Sequence, residues 1–474
     1  MKHEKLSQAL NEISDAHIAE AAQPKKKVRP VWVGAVAAAA ALALILTILL
    51  PGRASDNGSA TSDGNFYKPT PSRLLVAAPN YPKYEWLYRG DEMDPIQKDL
   101  SDFFADSMAQ TLSGAGEANQ AYSPVNLYMA LSVAAELTEG KTQRQILKAV
   151  GCDSIEDLRQ QVNTLWNACY FDDKDQTLLA NSLWLDEDLS YVQETMDTLA
   201  ENYYTSVYRG DFGSEKTNKA IAKWLDKQTG GLLKNATKNI DLSSETVLAV
   251  YSTVFYRAMW TQYSEFNSSR NTPGIFHSPR GEQDVTFMNK KEHQTYYYWG
   301  EDYGAVSLGL KDGSDMWFIL PDEGKTPDDV LADGEYADMI LGASGPEQPE
   351  TRKYMKVNLS VPKFDIQASG DLKEDVQAMG ITNIFDPEKS DFSASVRMDP
   401  GSFPAFAYLD AVNQATRVAI DEKGVTAASY IELPGAGAAA PPEEIIDFIL
   451  DRPFIFVITN RYGIPLFAGV VNEP

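Results

Sequence analysis

The sequence predicts an α+β fold for most of the 474 residues of this chain. Helix-type and strand-type patterns follow one another without the regular alternation of a doubly wound α/β fold. Residues 246–257 (TVLAVYSTVFYR) are β-branched, aromatic and nearly uncharged, which is typical of a strand covered on both faces. Because 43% of the residues are apolar, the chain is able to bury a large core.

Start and stop signals place the individual elements. Residues 123–150 read as two helices: Ser123 and Pro124 open the first, and Gly140 separates it from the second. Residues 218–234 show helical spacing of apolar side chains and end at a Gly-Gly pair. Further strands are predicted over residues 355–366, 405–421 and 453–471.

The N-terminal region contains a long apolar run. Residues 31–50 carry no charge and no proline, and as a helix they would span about 30 Å of hydrocarbon. Four basic residues lie between positions 25 and 29, whereas only Arg53 follows closely. The positive-inside rule then predicts a single-pass transmembrane helix in the cell membrane, with residues 1–30 cytoplasmic and the rest of the chain extracellular. A secretory signal that is cleaved, releasing a secreted protein, is the alternative.

The segment after the apolar run has a different composition. Residues 51–75 are rich in Gly, Ser, Asp and Pro and bury too little surface to order themselves, so we predict a flexible linker. No comparable break follows, and residues 76–474 are predicted to form one large folded domain.

Charge and cysteine content exclude several classes of protein. The formal net charge of −25 repels phosphate backbones, so no nucleic-acid partner is expected. The chain has two cysteines, Cys152 and Cys169, and neither lies in a CxxC or Cys/His cluster, which argues against a metal site. We interpret them as two small buried side chains and leave one disulfide between them open.

An enzymatic function is not supported by the pattern of reactive residues. The chain has four histidines: His3 and His17 in the predicted cytoplasmic tail, and His277 and His293 without a nucleophile signature nearby. No phosphate-binding loop, dinucleotide fingerprint or HExxH motif is found. We therefore predict a protein that is not an enzyme and that needs no cofactor and no metal.

Residues 422–442 (EKGVTAASYIELPGAGAAAPP) combine two signals that usually exclude each other. The segment is rich in Gly, Ala and Pro, as in an exposed loop. Yet every second residue is apolar or small, which is the pattern of a strand with one buried face. A loop with a strand pattern fits a segment that changes state. The residues of this face are Val425, Ala427, Ser429, Ile431, Leu433 and Gly435.

Six segments of the chain carry a resemblance to a known family. They are SPVNLYMAL at 123–131, KWLDKQTGGLLK at 223–234, AVYSTVFYRAMW at 249–260, the stretch 361–394, IDEKGVTAAS at 420–429 and the C-terminal hairpin 451–474. Together they resemble the serpin family, in the order that the family shows. The resemblance implies helices packed around a large mixed central sheet, with smaller sheets and an exposed reactive-centre loop. With the predicted membrane helix, the chain is similar to a membrane-anchored, prokaryotic-type member.

The resemblance implies that the chain is a suicide substrate of a serine-type endopeptidase and acts as a monomer. The loop would be cut near Ala438–Ala439, within one or two bonds, and would then insert into the central sheet, trapping the acyl-enzyme. The small side chain of Ala438 suits an elastase-like or subtilisin-like protease with a small, apolar specificity pocket. The implied hinge consists of Glu422, Gly424, Val425, Thr426, Ala427, Ala428 and Ser429.

Inserting the loop would bury Val425, Ile431 and Leu433, which is worth roughly 5–9 kcal/mol in total. The intact fold is therefore expected to be metastable.

Further positions are implied by the resemblance alone. Trp260 matches an aromatic residue at the point where the loop enters the sheet. A buried polar cluster under the sheet, which gates its opening, would be formed by Ser123, Asn126, Ser252 and Gln414. Because Gln414 does not titrate, no histidine-type pH sensitivity is expected at this gate.

A second function class stays open. A non-inhibitory member of the fold would be a binding or structural module whose loop is only cut as a substrate. The inward face of the hinge has no charged or bulky residue that would block insertion, which favours the inhibitor.

Overall fold

The structure is a computed structural model, and its described residues all lie within one unit, Ala37–Pro474. The described residues are 40–49, 66–67, 74–76, 93–114, 116–173, 175–234, 240–344, 349–397, 407–425 and 442–474.

The helices begin where the sequence supplies caps. The hydroxyl of Ser123 accepts a hydrogen bond from the backbone N–H of Asn126, and Pro124 follows in the first turn, as expected at a helix start. The described helices are α1 (Met93–Leu112), α2 (Pro124–Glu136), α3 (Gly140–Ala149), α4 (Ile155–Cys169), α5 (Gln193–Asn202), α6 (Glu215–Gln228), α7 (Pro327–Asp333), α8 (Glu335–Ser344) and α9 (Lys373–Ala378), with 3₁₀ turns at Ser268–Arg270 and Asn383–Phe385.

The strands form three sheets. They are β1 (Ala40–Leu49), β2 (Phe66–Tyr67), β3 (Leu74–Val76), β4 (Gln120–Tyr122), β5 (Phe171–Asp172), β6 (Gln176–Asp186), β7 (Ser190–Val192), β8 (Thr205–Gly210), β9 (Thr246–Arg257), β10 (Thr272–Ser278), β11 (Gly281–Trp299), β12 (Tyr303–Gly309), β13 (Asp315–Pro321), β14 (Arg352–Pro362), β15 (Phe364–Asp371), β16 (Val396–Arg397), β17 (Tyr408–Ile420), β18 (Ile445–Ile449), β19 (Phe454–Thr459) and β20 (Pro465–Val471).

The sheet that carries β17 has the strand order β15-β17-β1-β9-β6-β8-β3, with β5 paired to β6. Strands β6 and β8 run parallel and the other neighbours run antiparallel, so the sheet is mixed. Helix α2, which is buried along its whole length, packs against β1, β9 and β20. The helices, the mixed sheet and two further sheets confirm the predicted α+β class.

The second sheet has the order β18-β14-β11-β12-β13-β19-β20-β4, with β10 paired to β11. Every residue of β19 and β20 is buried, and both strands lie within residues 453–471, where strands were predicted. A third, small sheet has the order β16-β7-β2.

The N-terminal apolar run differs from the prediction. Residues 40–49, half of the expected transmembrane helix over 31–50, form strand β1 in the mixed sheet. A strand hydrogen-bonded on both edges satisfies the backbone polar groups of an apolar segment as completely as a helix does. Within the part of the chain that the structure describes, no helix is long and apolar enough to cross a membrane. Residues 1–39 and 50 lie outside it.

The predicted linker and the cysteines can also be compared with the structure. Strands β2 and most of β3 lie within residues 51–75 and pair with β7 and β8, so this segment contributes to the sheets and the fold begins before residue 76. Cys152 and Cys169 are both buried thiols that no disulfide joins, so the disulfide that the sequence left open is not formed in the structure.

Candidate functional site: the hinge and the slot in the sheet

Strand β17 leads directly into the hinge. After Ile420 the chain turns back, and Asp421 pairs antiparallel with Gly424. Gly424 also pairs antiparallel with Met259, just beyond the end of β9. The N–H of Val425 donates to the carbonyl oxygen of Ala258 at 2.8 Å, and Val425 is fully buried. The first residue of the predicted inward face thus already lies between the ends of β17 and β9.

Gly424 is required by its conformation and by its neighbours. Its φ is +143°, a region that side-chain-bearing residues rarely adopt. A Cβ atom there would lie 2.4 Å from the carbonyl oxygen of Ala258 and 2.7 Å from the Cα of Met259. Since both contacts are with backbone, no side-chain adjustment would relieve them, and the turn depends on glycine.

Two ion pairs fasten the turn between β17 and the hinge. Lys363 lies 2.6 Å from the carboxylate of Glu422, and Lys423 pairs with Glu265. Partial burial raises the pKa of Glu422, but the hydrogen bonds from Lys363 and Asn271 outweigh it and leave that pKa below its ordinary value. The hinge therefore has a defined place on the body of the protein.

Trp260 lies at the point where the chain enters the sheet. Its side chain is buried, its indole N–H donates to the carbonyl oxygen of Asp421 at 2.9 Å, and its ring packs edge-to-face on Phe266. Its backbone N–H donates to the carbonyl oxygen of Lys423, also at 2.9 Å. The indole ring and the backbone of Trp260 thus bind the turn on two sides.

The slot, which we define as the space between β9 and β17, is occupied by β1. This strand runs antiparallel to both neighbours. Leu44, Leu46 and Ile48 point into the main core, where they are almost completely buried. Burying three such side chains contributes roughly 5–9 kcal/mol relative to exposing them. On the opposite face, Ile45 packs against the smaller apolar cluster under α6.

The predicted gate is only partly assembled. The hydroxyl of Ser252 donates to the side-chain oxygen of Asn126 at 2.5 Å, and the amide of Asn126 donates to the carbonyl oxygen of Ser252 at 3.1 Å. Ser123 caps the same helix turn and is bonded to the N–H of Asn126. Gln414, however, is separated from this group because Leu44 lies between it and Ser252.

Strand β1 leaves polar atoms of its neighbours unsatisfied. Among the described residues, no hydrogen-bond partner is found for the buried side-chain oxygens of Gln414 and Thr416 on β17, or for those of Thr246 and Tyr251 on β9. The residues of β1 opposite Thr416 and Tyr251 are Leu42 and Ile45, which carry no polar side-chain atom. Since a buried unsatisfied group costs about 1–3 kcal/mol, an apolar strand is an imperfect occupant of this slot.

The remaining predicted site residues fall outside the description. These are the hinge residues Thr426, Ala427, Ala428 and Ser429 and the predicted scissile pair Ala438 and Ala439. The sequence reading missed strand β1 as the occupant of the slot, because a uniformly apolar run has no periodicity that distinguishes a buried strand from a buried helix. It also missed the Lys363–Glu422 pair, which joins residues far apart in the sequence.

Comparisons with known proteins agree with this architecture. A model of the family described as "Serpin (serine protease inhibitor)" matches residues 99–474. The chain is 26% identical over 399 residues to Serpin-ZX of Arabidopsis thaliana, covering 80% of this chain and 97% of that protein. It is 25% identical over 391 residues to plasminogen activator inhibitor 1 of Sus scrofa, covering 79% and 91%.

Solved structures show the same fold. The thermophilic serpin tengpin in its native state superposes with a TM-score of 0.69 at 24% identity, covering 85% of this chain and all of that chain. Arabidopsis AtSerpin1 in its native stressed conformation gives 0.66 at 22% identity, covering 80% and 98%. The family model spans well over half of the sequence, and the hinge and the mixed sheet, apart from β1 and β3, lie within the matched region. The chain therefore belongs to the serpin family.

Proposed function

We propose that this protein is a suicide-substrate inhibitor of a serine-type endopeptidase and that its loop, once cut, inserts between β9 and β17. The membership in the serpin family and two relatives whose names identify them as an inhibitor and an antiproteinase favour this function over catalysis. The structural support is the hinge, where Val425 is already buried and hydrogen-bonded to Ala258, the residue that follows β9.

The registers at the hinge carry the proposal. Continuing the Asp421–Gly424 pairing along β17 would bring Ser429 opposite Thr416. Continuing the Met259–Gly424 pairing along β9 would bring Glu432 opposite Tyr251. The hydroxyls of both strand residues are buried without a partner while β1 is present. Cross-strand hydrogen bonds from the loop would satisfy both of them, so the slot complements the loop in polarity.

The inward face of the loop complements the core in the same registers. Ile431 would lie opposite Ser252 and Gln414, and Leu433 opposite Val250 and Val412, on the side where the core lies. Burial of these two aliphatic side chains is worth about 1.5–3 kcal/mol each. The loop would gain this free energy only after cleavage frees its far end, which is the driving force that a trap requires.

The chemical step uses the catalytic residues of the protease. Its serine hydroxyl attacks the carbonyl carbon of Ala438, and the protease's histidine accepts the proton. The Ala438–Ala439 amide bond breaks, the amine of Ala439 leaves with that proton, and Ala438 stays linked to the serine as an ester. Insertion of the loop then moves the acylated protease away before water hydrolyses the ester. An elastase-like or subtilisin-like protease suits the small side chain of Ala438.

The test is a mixture of the protein with an elastase-type serine protease, separated on a denaturing gel after boiling. Because β1 fills the slot, the mixture is run for the unaltered chain and for a Leu44→Asp, Leu46→Asp variant, in which β1 cannot remain buried. An inhibitor gives a covalent protease–protein band with this variant, and mass spectrometry of the released peptide locates the cut bond.

A second measurement checks the driving force. Cutting the loop of the Leu44→Asp, Leu46→Asp variant should raise its midpoint of thermal unfolding, because the loop then joins the sheet. If only two fragments form and the cut variant is no more heat-resistant than the uncut one, the protein is instead a non-inhibitory binding or structural module whose loop is a substrate.

A further inference from the structure

Strand β1 and the loop would occupy the same positions in the sheet. Ala40 pairs with Val418 on β17 and with Tyr256 on β9. Gly424 pairs with Asp421 and with Met259. When these two registers are continued, Ala427 is opposite Val418 and Tyr256, the same two partners. The same holds further along, where Leu44 lies at the position of Ile431 and Leu46 at that of Leu433.

The apolar side chains of the two segments would also point to the same face of the sheet. Leu44, Leu46 and Ile48 point to the core, and the corresponding loop residues are those of the apolar or small face. From Ala40 onward, β1 occupies the backbone hydrogen-bonding positions of β9 and β17 that face the slot. Only the positions of Val425 and Thr426 remain for the loop. Simultaneous occupancy is excluded because each edge of a strand pairs with one neighbour.

We propose that residues 40–49 are an intramolecular plug that blocks loop insertion. The protein then traps a protease only when this segment has left the sheet. The effect of the plug on trapping rests on the proposed function. The position of residues 40–49 in the sheet does not. The plug presents three large aliphatic side chains to the core, whereas the loop presents two over the matching stretch. The loop therefore does not displace the plug by apolar burial alone.

The unsatisfied polar atoms indicate that the plug is one of two occupants. Thr416 and Tyr251 lack a partner opposite Leu42 and Ile45 of the plug, and they would gain one opposite Ser429 and Glu432 of the loop. Apolar burial thus favours the plug and polar pairing favours the loop, which is the balance that a two-state element requires.

A reversible cross-link tests the position of the plug in the full-length chain. Thr47 and Ala411 are cross-strand partners on β1 and β17, so a Thr47→Cys, Ala411→Cys variant should form a disulfide under mild oxidation. The pair Thr47→Cys, Asn413→Cys, which is out of register, is the matched control and should cross-link poorly. Cys152 and Cys169 are buried, so they should not compete. Failure of the in-register pair to cross-link would overturn the plug.

Trapping assays with an elastase-type protease then test its consequence. The oxidised Thr47→Cys, Ala411→Cys protein should be cut without forming a covalent band. The Leu44→Asp, Leu46→Asp variant should form that band at least about tenfold more often per cleavage than the unaltered chain, because the plug loses its buried contacts. Ile275→Asp, at an exposed position of β10, is the control and should behave like the unaltered chain.

The outcomes separate this inference from the proposed function. If the oxidised, cross-linked protein forms the covalent band as often per cleavage as the Leu44→Asp, Leu46→Asp variant, the plug does not inhibit and the inference is overturned, while the inhibitor function stands. If the Leu44→Asp, Leu46→Asp variant never traps, the inhibitor function fails, and the cross-link still reports whether residues 40–49 lie in the sheet.

Discussion

Tyr251 on β9 lies directly opposite Ile45 on β1, and its hydroxyl is buried without a hydrogen-bond partner among the described residues. Burial raises the pKa of this phenol, so the group stays protonated at all ordinary pH values. An aliphatic neighbour cannot accept its proton in a hydrogen bond. The pair therefore marks one of the places where β1 leaves a buried polar group of its neighbour without a hydrogen bond.

Replacing Tyr251 by phenylalanine should stabilise the intact protein. Removal of the unsatisfied hydroxyl should raise the free energy of unfolding by about 1 kcal/mol, measured by urea denaturation. Tyr191→Phe is the matched control, because the hydroxyl of Tyr191 donates to Val247 at 2.6 Å and accepts from Asp186 at 2.9 Å. That variant should instead lose about 1–3 kcal/mol. Equal effects of the two substitutions would show that the hydroxyl of Tyr251 has a partner.

Gly424→Ala should disrupt the hinge. The added Cβ meets the backbone of Ala258 and Met259, so we expect a loss of about 1–3 kcal/mol in the free energy of unfolding. In the Leu44→Asp, Leu46→Asp background, the fraction of cleavages that ends in a covalent band should also fall. Gly370→Ala on β15 serves as the control, because a Cβ at that position meets nothing within 4 Å. An unchanged hinge variant would contradict the requirement for glycine.

Val425→Asp should separate cleavage from trapping. Val425 is fully buried between the ends of β9 and β17, and a carboxylate would have to be desolvated to occupy that position, which would remove the first residue of the loop from the sheet. In the Leu44→Asp, Leu46→Asp background we expect cleavage at an unchanged rate and loss of the covalent band. Val425→Thr has nearly the same shape and should retain most of the trapping. Trapping by the aspartate variant would show that burial of this residue is not needed for insertion of the loop.

The stability of the fold should depend on pH through His293. Burial and the neighbouring charge of Lys290 lower the pKa of this imidazole from 6.5 to about 4. Because the unfolded chain then binds the proton more tightly than the folded one, stability is full above pH 6.5 and is lost as the pH falls towards 4. Allowing for partial exposure, the loss is on the order of 1–2 kcal/mol.

Urea unfolding at several pH values between 6.5 and 5 checks this. His293→Gln should remove most of the slope in that window, whereas His277→Gln, at an exposed position, should retain it. An identical slope in all three proteins would assign the pH dependence to other groups.

Neutral phosphatidylcholine vesicles should promote trapping by the unaltered chain. The apolar run 31–50 would find in lipid a second place to be buried, and a segment held there is not available to the sheet. We expect the covalent fraction to rise with lipid concentration. The Leu44→Asp, Leu46→Asp variant, whose slot is already free, should not respond. A lack of response by the unaltered chain would show that lipid does not draw residues 40–49 out of the slot.

Several local features followed from the sequence because their causes are local. Ser123 and Pro124 predicted a helix start, and the hydroxyl of Ser123 caps it. The β-branched and aromatic run 246–257 predicted a strand buried on both faces, and β9 has these bounds. Six ordered segments were sufficient to identify the family, since each of them records a packing or turn requirement in neighbouring residues.

Other features depend on residues that are distant in sequence. Ser252 and Asn126 meet as expected, but Gln414 is held away from them by a strand that no local pattern announced. The ion pair between Lys363 and Glu422 also joins distant parts of the sequence, because Lys363 lies between β14 and β15 and Glu422 follows β17.

What the sequence determined by itself is the composition of two rival segments: an apolar run near the N-terminus and an alternating loop near the C-terminus. Which of them lies between β9 and β17 was decided only by the tertiary structure. The physical reason is that a run such as ALALILTIL satisfies its backbone equally well as a helix in lipid or as a strand with two neighbours. The strand becomes possible only where a sheet has space for one more strand between two others, and the tertiary structure provides that space between β9 and β17.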